Sequence, residues 1–229
     1  MRLKNVQKAY GAQTVLDGLS LEIADGEITC VLGRSGAGKT TLLNLLAGRV
    51  EFFGEVDSLP ERVGYVFQEN RLIPRLTLRE NLQYVGGRDA LIDKLLPECG
   101  LESLAERRAE KLSGGEKRRA AVLRAFCVDA DVILLDEPFS ALDTVTKEAM
   151  MRLTHRLLRA GKKTAVFVTH DVDEALAIAD KIAVLDGGKI ALEVRLPASE
   201  GLREYAALLS EREKILSALR NGKEFGTDL

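Results

Sequence analysis

Residues 28–40 read Ile-Thr-Cys-Val-Leu-Gly-Arg-Ser-Gly-Ala-Gly-Lys-Thr, and this stretch decides the fold class. Ile28 to Leu32 is a short apolar run, the pattern of a buried strand. Gly33 to Thr40 fits the spacing G-x-x-x-x-G-K-[ST], and leucines then recur at helical spacing from Thr41 to Ala47 until Gly48 offers a stop. Strand, glycine-rich loop and helix in that order predict a phosphate cradle. Glycines let successive backbone N–H groups turn toward the β- and γ-phosphates of a nucleotide, and the helix start adds the positive end of its dipole. Gly33, Arg34, Ser35, Gly36, Ala37, Gly38, Lys39, Thr40 and Thr41 are the candidate binding residues. Lys39 serves as a mobile point charge, and the Thr40 hydroxyl can ligate Mg2+. The competing reading, a glycine-rich turn with an accidental lysine, leaves the flanking strand and helix unexplained.

Working outward, Val132 to Leu135 is a second apolar run, closed by Asp136-Glu137. A carboxylate at the C-terminal end of a parallel strand sits where open α/β sheets bind ligands. Asp136 suits magnesium coordination, and Glu137, pointing differently, can polarise an attacking water. Alone, such a pair is weak evidence, because acidic residues often simply begin the next loop. Val63 to Phe67 and Thr164 to Val168 are further apolar runs, as expected of buried strands. The chain before Ile28 alternates apolar and polar residues around an Asp25-Gly26 turn, which predicts antiparallel strands. From Glu69 to about Cys127 the pattern turns helical and charged, broken by Pro74, Pro97 and Gly100. Thr144 to Ala160 reads as an amphipathic helix, and Asp186-Gly187-Gly188-Lys189 joins two short strands as a hairpin. Leu202 to Leu219 reads as one or two surface helices, with the last ten residues expected to fray.

The bulk numbers set limits. At 229 residues the chain is long enough for one domain with a substantial core and an inserted subdomain. With 33 basic and 35 acidic residues the net charge is −2, so no global attraction to nucleic acid or anionic lipid is indicated. No apolar run is long enough to span a bilayer, and the start, Met1 to Val6, lacks the apolar core of a signal peptide. Cys30, Cys99 and Cys127 are odd in number and widely spaced, which predicts buried thiols rather than a zinc site. The expectation is a soluble, cytoplasmic α/β protein.

Between the two nucleotide-site motifs stands Leu112-Ser113-Gly114-Gly115-Glu116. With that segment in that place, the chain resembles an ABC-transporter ATP-binding subunit from about Leu3 to Val194, with every expected motif in order. The resemblance implies an α/β fold with a P-loop NTPase core, a mixed sheet, an N-terminal antiparallel β-subdomain and an inserted helical subdomain. The boundaries expected are residues 1–68 and 128–200 for the core, 69–127 for the helical insert and 201–229 for the tail. It implies that Tyr10 stacks on adenine with Val15 packing nearby. Gln68 is then the glutamine that reaches Mg2+ and the attacking water, Ser140-Ala141-Leu142-Asp143 the segment following the base, and His170 the histidine that contacts the γ-phosphate. Alone, Tyr10 would be a strand-end aromatic, Gln68 a polar residue after a strand and His170 a structural histidine. His155 keeps that plain reading. The sequence departs from the family's usual form at Glu116, where glutamine is commoner. Glu116 lies beyond the residues that meet phosphate, so tuning is expected rather than loss.

The mechanism so implied is closure of a head-to-tail dimer, a homodimer or a paired ATPase subunit, around two ATP molecules. Ser113, Gly114 and Gly115 act in trans on the nucleotide held by the other chain, while Glu137, His170, Gln68 and Lys39 carry the hydrolysis. The family's work is to drive two separate membrane permease subunits, so the chain is expected at the inner face of the cell membrane, bound through the permease. Docking is expected near residues 68–74. There Arg71, Arg75 and Arg79 recur at four-residue spacing, either to aid docking or as a solvated helix face. Lys117, Arg118, Arg119 and Arg124 read as solvated or core-bordering charges. The segment Glu137 to Asp143 looks like those of importers, and Val66-Phe67-Gln68-Glu69 with Arg79-Glu80-Asn81-Leu82 is similar to the nitrate/sulfonate/taurine group. Import implies an extracytoplasmic solute-binding protein and no nucleic acid. The alternatives are a soluble ABC ATPase in DNA repair or ribosome-associated work, a module that binds ATP but hydrolyses it poorly, and a simple P-loop kinase. The kinase leaves Leu112 to Glu116 unexplained.

Overall fold

A computed structural model describes residues 1–203 and 208–221. The chain divides into two compact units, one of Met1–Pro60 with Thr164–Leu229 and the other of Glu61–Lys163. In chain order the strands are β1 (Arg2–Tyr10), β2 (Gln13–Glu22), β3 (Ile28–Leu32), β4 (Phe53–Val56), β5 (Val63–Val66), β6 (Val132–Asp136), β7 (Thr164–Thr169), β8 (Lys181–Asp186) and β9 (Lys189–Arg195). The helices are α1 (Lys39–Leu46), α2 (Leu78–Gln83), α3 (Asp89–Glu98), α4 (Gly114–Cys127), α5 (Thr144–Ala160), α6 (Val172–Ile178) and α7 (Leu209–Asn221).

In the first unit β2, β1 and β4 form a three-stranded antiparallel sheet. The strand β3 lies between β7 and β8, parallel to both, and β9 returns antiparallel along β8 through the Gly187-Gly188 hairpin. The sheet is therefore mixed, and the fold is the α/β class expected. Every residue of β3 and β7 is buried, which is why these strands read as unbroken apolar runs. Burying Leu42, Leu43, Leu45 and Leu46 gives α1 its packed face, and Gly48, at φ +64°, ends it. Beneath the strands lies a cluster the sequence did not announce. Lys181 is 2% exposed and lies 3.9 Å from Glu27 and 3.2 Å from Glu193, while Arg195 closes on Glu27 at 2.8 Å. A lysine this buried is tolerated because carboxylates face it. The expected fraying falls mostly on residues 222–229, outside the described residues.

In the second unit β5 and β6 pair in parallel with Val66 opposite Leu135. Both α2 and α4 open on capping boxes, Thr77 with Glu80 and Ser113 with Glu116. Helix α5 occupies the span expected, and His155 is buried on it, accepting a hydrogen bond from Arg159 Nε. The segment 69–77 is not helical, contrary to the pattern read from its charges. Arg71 has φ +46°, and buried Asn81 holds the loop by accepting from Ile73 N and donating to the carbonyls of Ile73 and Thr77. Arg71, Arg75 and Arg79 therefore share no helix face. Arg71 stacks over Phe67 at 4.1 Å, and Arg79 pairs with Asp93 and Glu106. The three thiols are buried and unpaired by disulfides, and burial pushes Cys99 and Cys127 up to about 12, so they remain protonated. Among the described residues no helix is long and apolar enough to cross a membrane.

Candidate functional site

In the first unit the cradle grows out of β3. Leu32 pairs with Thr169 of β7 on one side and Val184 of β8 on the other, so Gly33 and His170 leave neighbouring strands at the same end. That is the end at which parallel sheets expose their ligand loops. Gly33 must be glycine because a Cβ there would lie 2.7 Å from the Leu185 carbonyl. Gly38 must be glycine twice over: its φ is +101°, and a Cβ would meet Val15 Cγ1 at 3.0 Å. The same contact places Val15 against the loop. Gly38 is also the N-cap of α1 and offers no side-chain acceptor, so the first-turn N–H groups of α1 gain none there. By contrast α2, α4, α5 and α6 are all capped by Thr77, Ser113, Asp143 and Asp171. An anion completes what the α1 cap omits.

Lys39 is buried, and its Nζ donates to the carbonyls of Gly33 at 2.7 Å and Arg34 at 3.0 Å. The ammonium is thus held at the mouth of the loop by the backbone that curls around it. Arg34, Ser35, Gly36 and Thr40 are exposed, with Ala37 and Thr41 half-buried. Tyr10 ends β1, is 49% exposed, and has Lys8 Nζ 5.0 Å from its ring centroid. A half-open aromatic face is what base stacking requires. His170 is exposed, directly after six buried residues. Its backbone is fixed from below: Thr169 Oγ1 donates to Glu174 Oε2 at 2.7 Å and accepts from Asp171 N at 3.1 Å, while Asp171 caps α6.

In the second unit Gln68, exposed, follows β5, while Asp136, 3% exposed, ends β6 and half-buried Glu137 follows it. Glu137 stands at φ +46°, a strained conformation for a residue other than glycine. Ser113, Gly114 and Gly115 open α4, the first two exposed. A Cβ at Gly114 would meet nothing within 4 Å, and Gly114 is a poor residue for a helix start in its own right. Packing among the described residues does not ask for glycine there.

Glu116 closes the capping box by accepting from Ser113 N at 2.7 Å while Ser113 Oγ accepts from Glu116 N. The Ser113 N–H bond holds the Glu116 carboxyl below its ordinary value. With the folded value depressed, this contribution to stability is complete above the unfolded glutamate value of about 4.3 and drains away as the pH falls through the folded one. Glu116→Gln keeps the acceptor oxygen, so turnover at neutral pH is expected to stay within about twofold, with a flatter acid limb of thermal stability. A large loss of turnover would contradict the reading of Glu116 as a cap.

Of the two readings open for Arg118, a solvated or a core-bordering charge, the structure takes the second. Arg118 is 1% exposed and donates to five carbonyls of the two loops that carry Gln68 and Glu137. The signal was present: Ala121, Val122 and Ala125 form the inward stripe of α4, and the same stripe extended back one turn lands on Arg118.

Comparison with known proteins accords with this arrangement. The family model described as ABC transporter matches residues 16–140. An aliphatic sulfonates import ATP-binding protein of Granulibacter bethesdensis is 42% identical, covering 94% of this chain and 97% of the relative. A protein of the same description from Burkholderia cenocepacia is 36% identical over 95% of this chain and 86% of its own length. Among solved structures, a dimeric ATP-binding cassette in a post-hydrolysis state bound to ADP and phosphate matches at TM-score 0.76 and 32% identity, covering 86% of this chain and 99% of that one.

Proposed function

The chain belongs to the ABC transporter family, and on that premise we propose that it powers import of a small anionic solute, of the aliphatic sulfonate class, by closing as a head-to-tail dimer. It is an ATP-binding and ATP-hydrolysing importer subunit. The observation that carries the head-to-tail reading is Gly114: an exposed glycine at a helix start, with open space around it, suits the phosphate of a nucleotide held by another chain.

Lys39 and the α1 N-terminus bind and neutralise the β- and γ-phosphates of ATP, with Tyr10 against the base and Val15 beside the loop. Thr40, Gln68 and Asp136 are the residues that would hold Mg2+, which when bound spreads the charge of the transferring phosphoryl group. Glu137 takes the proton of the attacking water, and His170 and Gln68 position that water and the terminal phosphate. The Ser113 hydroxyl and the N–H groups of Gly114 and Gly115 serve the partner's nucleotide.

Two permease subunits and a solute-binding protein complete the system in this reading. A cavity of about 310 Å³ in the second unit, lined by Asn70, Arg71, Leu72, Pro74, Ala109, Glu110 and Lys117, supports docking at the loop expected. Its mixed apolar and charged lining suits a short helix end presented by a membrane subunit. Co-purification from solubilised membranes tests this: recovery of integral-membrane permease subunits is expected. Recovery of nucleic-acid machinery alone would overturn it in favour of the soluble ATPase.

A further inference from the structure

We propose that Arg118 is a positioning residue that ties the N-terminal half of α4 to the loops bearing Gln68 and Glu137. The inference rests on the hydrolytic roles given above to those two residues. The Arg118 Nε donates to Pro138 O at 2.8 Å. One terminal nitrogen donates to Phe67 O at 2.6 Å and Gln68 O at 3.2 Å, and the other to Asp136 O at 2.7 Å and to Glu137 O. A guanidinium has five N–H donors in one plane, and these carbonyls engage all three of its nitrogens. No other side chain can span them. Lysine has a single nitrogen, and glutamine two donors on one atom.

The arrangement has a mechanical consequence. Glu137 sits in a strained left-handed conformation, which persists only if its surroundings fix the peptide planes on either side. Arg118 grips the carbonyls of Asp136, Glu137 and Pro138, and so holds that turn. Through Phe67 and Gln68 it holds the second loop to the first. It also lies five residues beyond Ser113, roughly 7.5 Å along the same helix. Whatever draws the Ser113 end of α4 toward a nucleotide therefore pulls on both hydrolytic loops at once. The cradle that binds ATP belongs to the other unit, and none of the five carbonyls is part of it.

The test is a steady-state ATPase assay on the full chain carrying Arg118→Met or Arg118→Lys, with ATP affinity measured separately by titration. Arg118→Met is expected to lower kcat about 10- to 100-fold while leaving KM and ATP affinity within about twofold, because hydrolytic groups are misplaced and the cradle is not. Arg118→Lys is expected to fall between the two. In Arg118→Ala, low-millimolar guanidinium ion is expected to restore part of the kcat. If Arg118→Met fails to fold, Arg118→Lys and the rescue still read the proposal. Wild-type kcat in Arg118→Met or Arg118→Lys overturns it, as does a fall in ATP affinity parallel to that in kcat, which marks a merely structural role. Failure of the underlying reading looks different: Glu137→Gln would then turn over at the wild-type rate.

Discussion

Glu137→Gln is expected to lower ATP turnover by about 10²–10³-fold while ATP still binds, because loss of a positioned general base costs that much. Glutamine preserves the size and shape of the side chain, so the strained turn gripped by Arg118 is left in place. The substitution leaves Lys39 and the loop around it chemically unchanged. ATP should therefore enter, close the dimer and remain, so that the variant runs as a dimer on size exclusion in ATP and as a smaller species without it. Wild-type turnover in this variant would remove Glu137 from the role of base.

Ser113→Arg is expected to abolish turnover and nucleotide-driven dimerisation while leaving ATP affinity near wild type. The substitution removes the helix cap, a loss of about 1 kcal/mol that a folded domain tolerates. More importantly, it puts a long side chain into the open space before Gly114, where a partner's phosphate must approach closely. The substitution leaves every residue of the Gly33–Thr41 loop unchanged, so a titration with a fluorescent ATP analogue should be almost unchanged. Turnover that survives this variant would mean that Ser113 does not serve a second nucleotide.

The elements that position chemistry were largely legible in the sequence, because each rests on a local rule. Gly38 had to be glycine for its backbone angle, Ser113 and Glu116 spelled a capping box, and the runs at β3, β6 and β7 announced strands buried on both faces. The segment from Glu69 to Thr77 was misread as helix for an equally physical reason. Its charges recur at helical spacing, but the nearby Asn81 side chain and Arg124, distant in sequence, take up its backbone groups and hold a loop. The apolar stripe of α4 runs through Arg118, so its place at the border of the core was legible, but its grip on two loops was not, because its partners are carbonyls, which carry no signature in sequence. The buried Lys181 cluster was hidden likewise, since Glu27, Glu193 and Arg195 come together only through strand pairing.

In the proposed dimer each ATP is served by two chains, the cradle of one and the Ser113 segment of its partner. Mixing two inactive proteins, Lys39→Ala and Ser113→Arg, tests it most directly. A mixed dimer pairs the intact cradle of one with the intact Ser113 segment of the other, so one of its two sites is whole. Random pairing should then restore turnover to at most about a quarter of wild type. A mixture as inactive as its components would contradict the claim.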